Sequence, residues 1–78
     1  MEISDYVREY EKNHKEIKSD LKSIVLYLKR QNINTMEELT ENSKNDITKI
    51  TNIRGIGKKR MQIIDNLVKI YNDTDFYK

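Results

Sequence analysis

Both glycines of this 78-residue chain fall one residue apart, in Ile53-Arg54-Gly55-Ile56-Gly57-Lys58-Lys59-Arg60, and the chain has no proline. Glycine in a helix or strand interior costs about 0.5–1 kcal/mol relative to alanine, so two of them around one isoleucine mark backbone that needs positive φ or a close approach. The flanking stretches have helical apolar spacing, which makes a tight hairpin between two helices the natural reading. Gly57 then opens the second helix, whose first amides lack intrahelical partners and whose dipole presents about half a positive charge. Lys58, Lys59 and Arg60 come immediately after it, although basic side chains are unfavourable in a first helical turn. A negative partner outside the protein resolves that conflict, and a nucleic-acid phosphate is the leading candidate.

The rest of the chain reads as helices joined by short loops. Tyr6, Tyr10, Ile17, Leu21, Ile24 and Leu28 fall near a 3.5-residue spacing, compatible with one long helix from about Asp5 to Gln31 capped by Ser4 or Asp5. The stripe is interrupted at Asn13 and His14, so the alternatives are a break there or an N-terminal arm that docks less firmly than the remainder of the chain. On the arm reading, removal of Met1 to Glu11 leaves the hairpin unit folded. Residues 17–30 carry an ordinary amphipathic pattern. Thr35-Met36-Glu37-Glu38 has capping-box spacing, with Thr35 as N-cap and Glu38 three residues on, which predicts a short helix to about Glu41. Ser43 repeats the device for a helix that buries Ile47 and Ile50. Ile53 and Ile56 are expected to anchor the hairpin, and Met61, Ile64, Leu67, Val68 and Tyr71 give the second hairpin helix its apolar stripe, as core and not as a cofactor box. The turn at Asn32 to Asn34 could be a degenerate partner of the glycine hairpin. The expected organisation is a charged N-terminal helical arm over residues 1–16, a helical domain over 17–71 and a frayed tail over 72–78.

The residues Ile50-x-x-Ile53-x-Gly55-Ile56-Gly57, a basic pair, then Ile63, Ile64 and Leu67 resemble the helix-hairpin-helix motif of DNA-binding proteins. Leu28-Lys29-Arg30 and Ile33-Asn34-Thr35-Met36-Glu37-Glu38-Leu39 extend the resemblance, over about Lys22 to Leu67, to the C-terminal domain of the bacterial RNA polymerase alpha subunit. The resemblance implies an all-α, four- to five-helix helix-hairpin-helix (SAM-like) domain whose glycine turn offers backbone amides to DNA phosphates. The arginine and asparagine with which that domain reads the minor groove correspond to Ser23 and Leu26 here, so promoter recognition is not implied; Lys22 is a neighbour that could substitute in part. What carries over is phosphate contact.

Charge placement agrees with that reading. From Arg54 to Lys69 five basic residues face one acidic residue, a local charge of +4, whereas Thr35 to Asp46 carries −3, within a net charge of +2. The candidate DNA-binding residues are therefore Arg54, Gly55, Ile56, Gly57, Lys58, Lys59 and Arg60. A solvated helix face is the alternative for a mixed charge run taken alone. Enzymatic chemistry is hard to assemble: there is no cysteine, one histidine, no phosphate-loop or nucleophile motif and no metal-ligand pair at useful spacing. His14 is expected at the surface, and no cofactor, metal or catalytic residue is assigned.

Length allows one small domain with a modest core, and with 36% charged residues its stability is expected to lean on a partner. The absence of cysteine is compatible with a reducing cytoplasm, and no apolar run approaches the roughly 20 residues of a membrane span. The expected function is that of a small, sequence-blind DNA-binding accessory protein, on single- or double-stranded DNA, assisting a larger partner such as a polymerase or another replication, recombination or repair enzyme. Tyr27, Tyr71 and Tyr77 are candidates for stacking on bases, with burial as the competing role of the first two. The alternative function is a protein-interaction adaptor that docks through the N-terminal helix or the acidic Thr35–Asp46 edge and uses the hairpin only for folding.

Overall fold

Leu21, Ile24 and Leu28, spaced by three and four, are all fully buried, and the helix they define is the platform of the fold. The computed structural model describes residues 1–73 and is all-α, with five α-helices and one 3-10 turn. These are α1 (Ile3–Glu11), the 3-10 turn Lys15–Ile17, α2 (Lys18–Arg30), α3 (Met36–Asn45), α4 (Thr48–Thr51) and α5 (Gly57–Asp73). The principal extents are 32 × 28 × 18 Å. No helix among the described residues is long and apolar enough to cross a membrane.

At Asn13–His14 the chain has a break: α1 ends at Glu11 and α2 begins at Lys18. The segment read as an arm packs on α2 and places Ile3, Tyr6 and Val7 in the core shared with the rest of the chain. Tyr6 meets Tyr71 of α5 edge-on, with ring centroids 5.3 Å apart. Neither Ser4 nor Asp5 caps α1. Its N-cap is Glu2, because an antiparallel bridge between Glu2 and Thr35 starts the helix there; the Ile3 amide donates to the Asn34 carbonyl at 2.9 Å and the Met36 amide to the Met1 carbonyl at 2.8 Å. His14 is half-buried, its ring stacked on Tyr10 at 4.0 Å.

The connection from α2 to α3 is a Schellman turn. Asn32 takes φ of +61°, the Ile33 amide donates to the Leu28 carbonyl at 2.9 Å and the Asn32 amide to that of Lys29 at 3.0 Å. Ile33 and Leu28 complete it as its buried apolar pair. The capping box at α3 forms as the spacing predicts: the Glu38 amide donates to Thr35 Oγ1 at 3.1 Å, and Glu38 Oε1 accepts from the Thr35 amide at 3.0 Å.

Beyond that point the sequence expectation fails in detail. With no glycine or proline to stop it, α3 continues past Glu41 to Asn45 and takes in Ser43, whose hydroxyl is buried and caps nothing. No side chain takes the capping role assigned to Ser43: the N-cap of α4 is Ile47, and the Asp46 carboxylate accepts only from the hydroxyl of Thr48, the first residue of the helix. Ile50 is fully buried, but Ile47 precedes the helix and is 38% exposed. At the far end α5 includes Asn72 and Asp73, which were expected in the tail; Asn72 Nδ2 donates to the Val68 carbonyl at 2.8 Å. The rest of the expected tail, with Tyr77, lies outside the described residues.

Candidate nucleic-acid interface

Helices α4 and α5 flank the glycine turn and pack on each other, with α2 beneath. The Ile53 amide donates to the Ile50 carbonyl at 3.1 Å and the Ile56 amide to the Ile53 carbonyl at 3.2 Å, which reverses the chain within a few residues. Ile56 is buried in the core and Ile53 packs against it, so the turn is pinned from inside. Both glycines have positive φ, +96° at Gly55 and +65° at Gly57.

Their surroundings differ. A Cβ on Gly55 would lie 2.9 Å from Cζ and Oη of Tyr27, so the close approach required at Gly55 is to a ring of the protein itself. A Cβ on Gly57 would have nothing within 4 Å. The α-carbon of Gly57, at the first residue of a 17-residue helix, thus faces open space.

The basic residues divide in the same way. Arg60 is 27% exposed and triply engaged: Nε donates to Asp20 Oδ1 at 3.1 Å, Nη1 donates to the Gly55 carbonyl at 2.7 Å, and the guanidinium carbon lies 5.8 Å from the Tyr27 ring centroid. Lys59 is 74% exposed and pairs with the other oxygen of the same carboxylate, Nζ to Oδ2 at 3.1 Å. Asp20 itself is 17% exposed. The Lys59 ammonium, and after it the Arg60 guanidinium, hold its carboxyl below the ordinary aspartate range. Arg54 and Lys58 are exposed and make no ion pair with the described residues. The conflict of basic residues in the first turn of α5 is therefore relieved in part from within the chain, by Asp20.

All seven residues singled out from the sequence lie on this one turn and the start of α5. Ile56 is the exception in accessibility, since the residue is buried and its amide is already bonded to the Ile53 carbonyl. Of the two further residues that shape the site, Asp20 is not singled out by the sequence, and Tyr27, a candidate for stacking or burial, takes the burial role, beneath Gly55. They are seven apart on α2, hence on one face, but nothing local says that this face turns toward the hairpin. Tyr27 also lies 6.0 Å from the Arg30 guanidinium, so its ring is committed to packing, and Tyr71 packs against the core. Leu26, at a groove-reading position of the resembled domain, is 48% exposed. No group of acidic, histidine or cysteine side chains that could hold a metal occurs among the described residues. The chain matches no family model, no curated protein and no solved structure.

Proposed function

We propose that this chain is a small DNA-binding accessory protein that holds the phosphate backbone, without reading sequence, through the helix-hairpin-helix-like turn from Arg54 to Arg60. The observation that carries the proposal is Gly57: it has positive φ at the first residue of a long helix, with open space where a side chain would stand, beside the exposed cations Arg54 and Lys58, which have no ion-pair partner among the described residues. Helix amides with flanking cations suit a phosphate, and such contacts position a protein on DNA without selecting a sequence. A site of about two or three phosphates binds weakly alone, so the protein works beside a larger DNA-processing enzyme that raises its local concentration.

The adaptor reading has less surface to work with. Ile3, Tyr6 and Val7 of α1 are used in the core. On α3, Glu37 accepts from the Met1 amine and the Tyr71 hydroxyl, and Glu38 is held in the capping box.

The test is a fluorescence-anisotropy titration with duplex and single-stranded oligonucleotides of several sequences at two salt concentrations. Affinity should vary little with sequence, and the log-log salt slope should be roughly −2 to −3 on duplex and slightly shallower on a single strand. Arg54→Glu with Lys58→Glu should abolish binding and preserve helicity, because neither side chain has an ion-pair partner among the described residues to lose. Undiminished affinity in that variant would remove the hairpin from the interface, and no binding by the unmodified protein at low salt would favour the adaptor.

A further inference from the structure

The two oxygens of Asp20 hold partners of different kinds. Oδ1 receives Arg60, which is also fixed by the Gly55 carbonyl and the Tyr27 ring. Oδ2 receives Lys59, whose side chain is mostly in solvent and makes no other ion pair with the described residues. An exposed lysine–carboxylate pair is worth only about 0–1 kcal/mol, so Lys59 exchanges readily. Arg60 cannot leave without giving up its hydrogen bond to the turn and its place against the ring.

We propose that Asp20 is a built-in competitor for the phosphate: Lys59 passes from Asp20 Oδ2 to the DNA backbone on binding, while Arg60 stays on Oδ1 as part of the fold. This inference rests on the hairpin's proposed role in phosphate binding and deepens it. A single phosphate dianion offers Lys59 little more than Asp20 already does. A polynucleotide engages Arg54, Lys58 and the α5 amides in the same event, and so draws Lys59 away. Asp20 therefore sets a threshold that a polyanion crosses and an isolated phosphate does not, and it keeps the affinity of the module low.

The test is Asp20→Asn, which retains an oxygen acceptor for Arg60 Nε but removes the charge that holds Lys59. By anisotropy with a short duplex at low salt, affinity should rise about two- to fivefold, the factor that corresponds to a pair of this strength. The gain should shrink as salt is raised, because the Lys59 ammonium is exposed and screened by salt. In a Lys59→Gln background the same substitution should give a clearly smaller gain. A gain of equal size with and without Lys59 would mean that Asp20 acts only as a distant negative charge, and would overturn the exchange. An unchanged affinity in Asp20→Asn, with the unmodified protein binding normally, would overturn the inference and leave the phosphate-binding function standing. If neither protein binds the duplex, the functional reading falls and the inference with it. A measurement on the unmodified protein covers the case in which Asp20→Asn does not fold: the carboxyl carbon of Asp20, followed by NMR, should titrate at higher pH with saturating duplex than without it. A midpoint that does not move when binding is complete would also overturn the exchange.

Discussion

Substituting the two glycines separately by alanine should give very different losses of stability. Gly57 at φ +65° lies in the left-handed helical region with open space around it, so Gly57→Ala should cost about 1–2 kcal/mol, the penalty of that conformation for an L-residue. Gly55 at φ +96° lies beyond the centre of that region, where strain is of order 1–3 kcal/mol, and its new methyl would meet the Tyr27 ring at 2.9 Å. The atoms it meets are at the tip of the side chain, so the ring can pivot. Arg30 and Arg60 flank it, however, so we place the packing penalty at the low end of the overpacking range, about 1 kcal/mol. Gly55→Ala should thus cost roughly 2–4 kcal/mol, a large share of the total of about 4–12 kcal/mol expected for a chain of this size. Urea denaturation followed by helical circular dichroism measures both losses, and a double-mutant cycle with Tyr27→Ala isolates the ring contact, for which the coupling should be about 1 kcal/mol. Equal losses at Gly55 and Gly57, or a coupling near zero, would refute the claim that Tyr27 defines the space under the turn.

Packing and charge set three further outcomes. Thr35→Ala should lower stability by about 1 kcal/mol, measured by thermal melting, because it removes the side-chain acceptor of the α3 capping box. Deletion of residues 1–11 should abolish cooperative unfolding, because Ile3, Tyr6 and Val7 at about 1.5–3 kcal/mol each amount to most of the stability available. For pH, the Met1 amine and then the Tyr71 hydroxyl hold the Glu37 carboxyl down at about 2, against an ordinary 4.5. A depressed carboxyl contributes above its unfolded value, so this stabilisation is complete above pH 4.5 and is lost as pH falls toward 2. The hydrogen bond to Glu37 pushes the Tyr71 hydroxyl up to about 12, so its contribution is present below pH 10 and is lost between 10 and 12. Glu37→Gln should flatten the acid limb and Tyr71→Phe the alkaline limb, as followed by denaturation midpoints, each by less than about 1 kcal/mol because Glu37 is largely exposed.

The features legible in the sequence were those encoded locally. The T-x-x-E spacing at Thr35 names both partners of the capping box, the stripe from Met61 to Tyr71 describes one face of α5, and the paired glycines announce positive φ. Ser43 misled because a serine reads as a cap wherever a helix is assumed to begin, and nothing around it said that α3 had not yet ended. Ile47 misled because a three-residue spacing puts two side chains on one face only if both are in the helix. Asp20, and the place of Tyr27 beneath the hairpin, were out of reach for another reason. The two residues lie 40 and 28 residues from Arg60 and Gly55, and their relation to the hairpin exists only once α5 has packed across α2. The core role of α1 was hidden likewise, since Tyr6 meets Tyr71 from the opposite end of the described chain.

Arg60 has one more consequence, which concerns entropy. Its guanidinium joins the carbonyl of Gly55 to the side chain of Asp20, and the turn it closes is anchored below by Ile56. Backbone ordering of this turn, about 1–2 kcal/mol per residue, is completed when the chain folds. If the turn binds an anion as proposed, the association should carry little further loss of backbone freedom. Calorimetry should therefore find a small heat-capacity change on binding, far from the values that accompany the folding of a loop around its ligand.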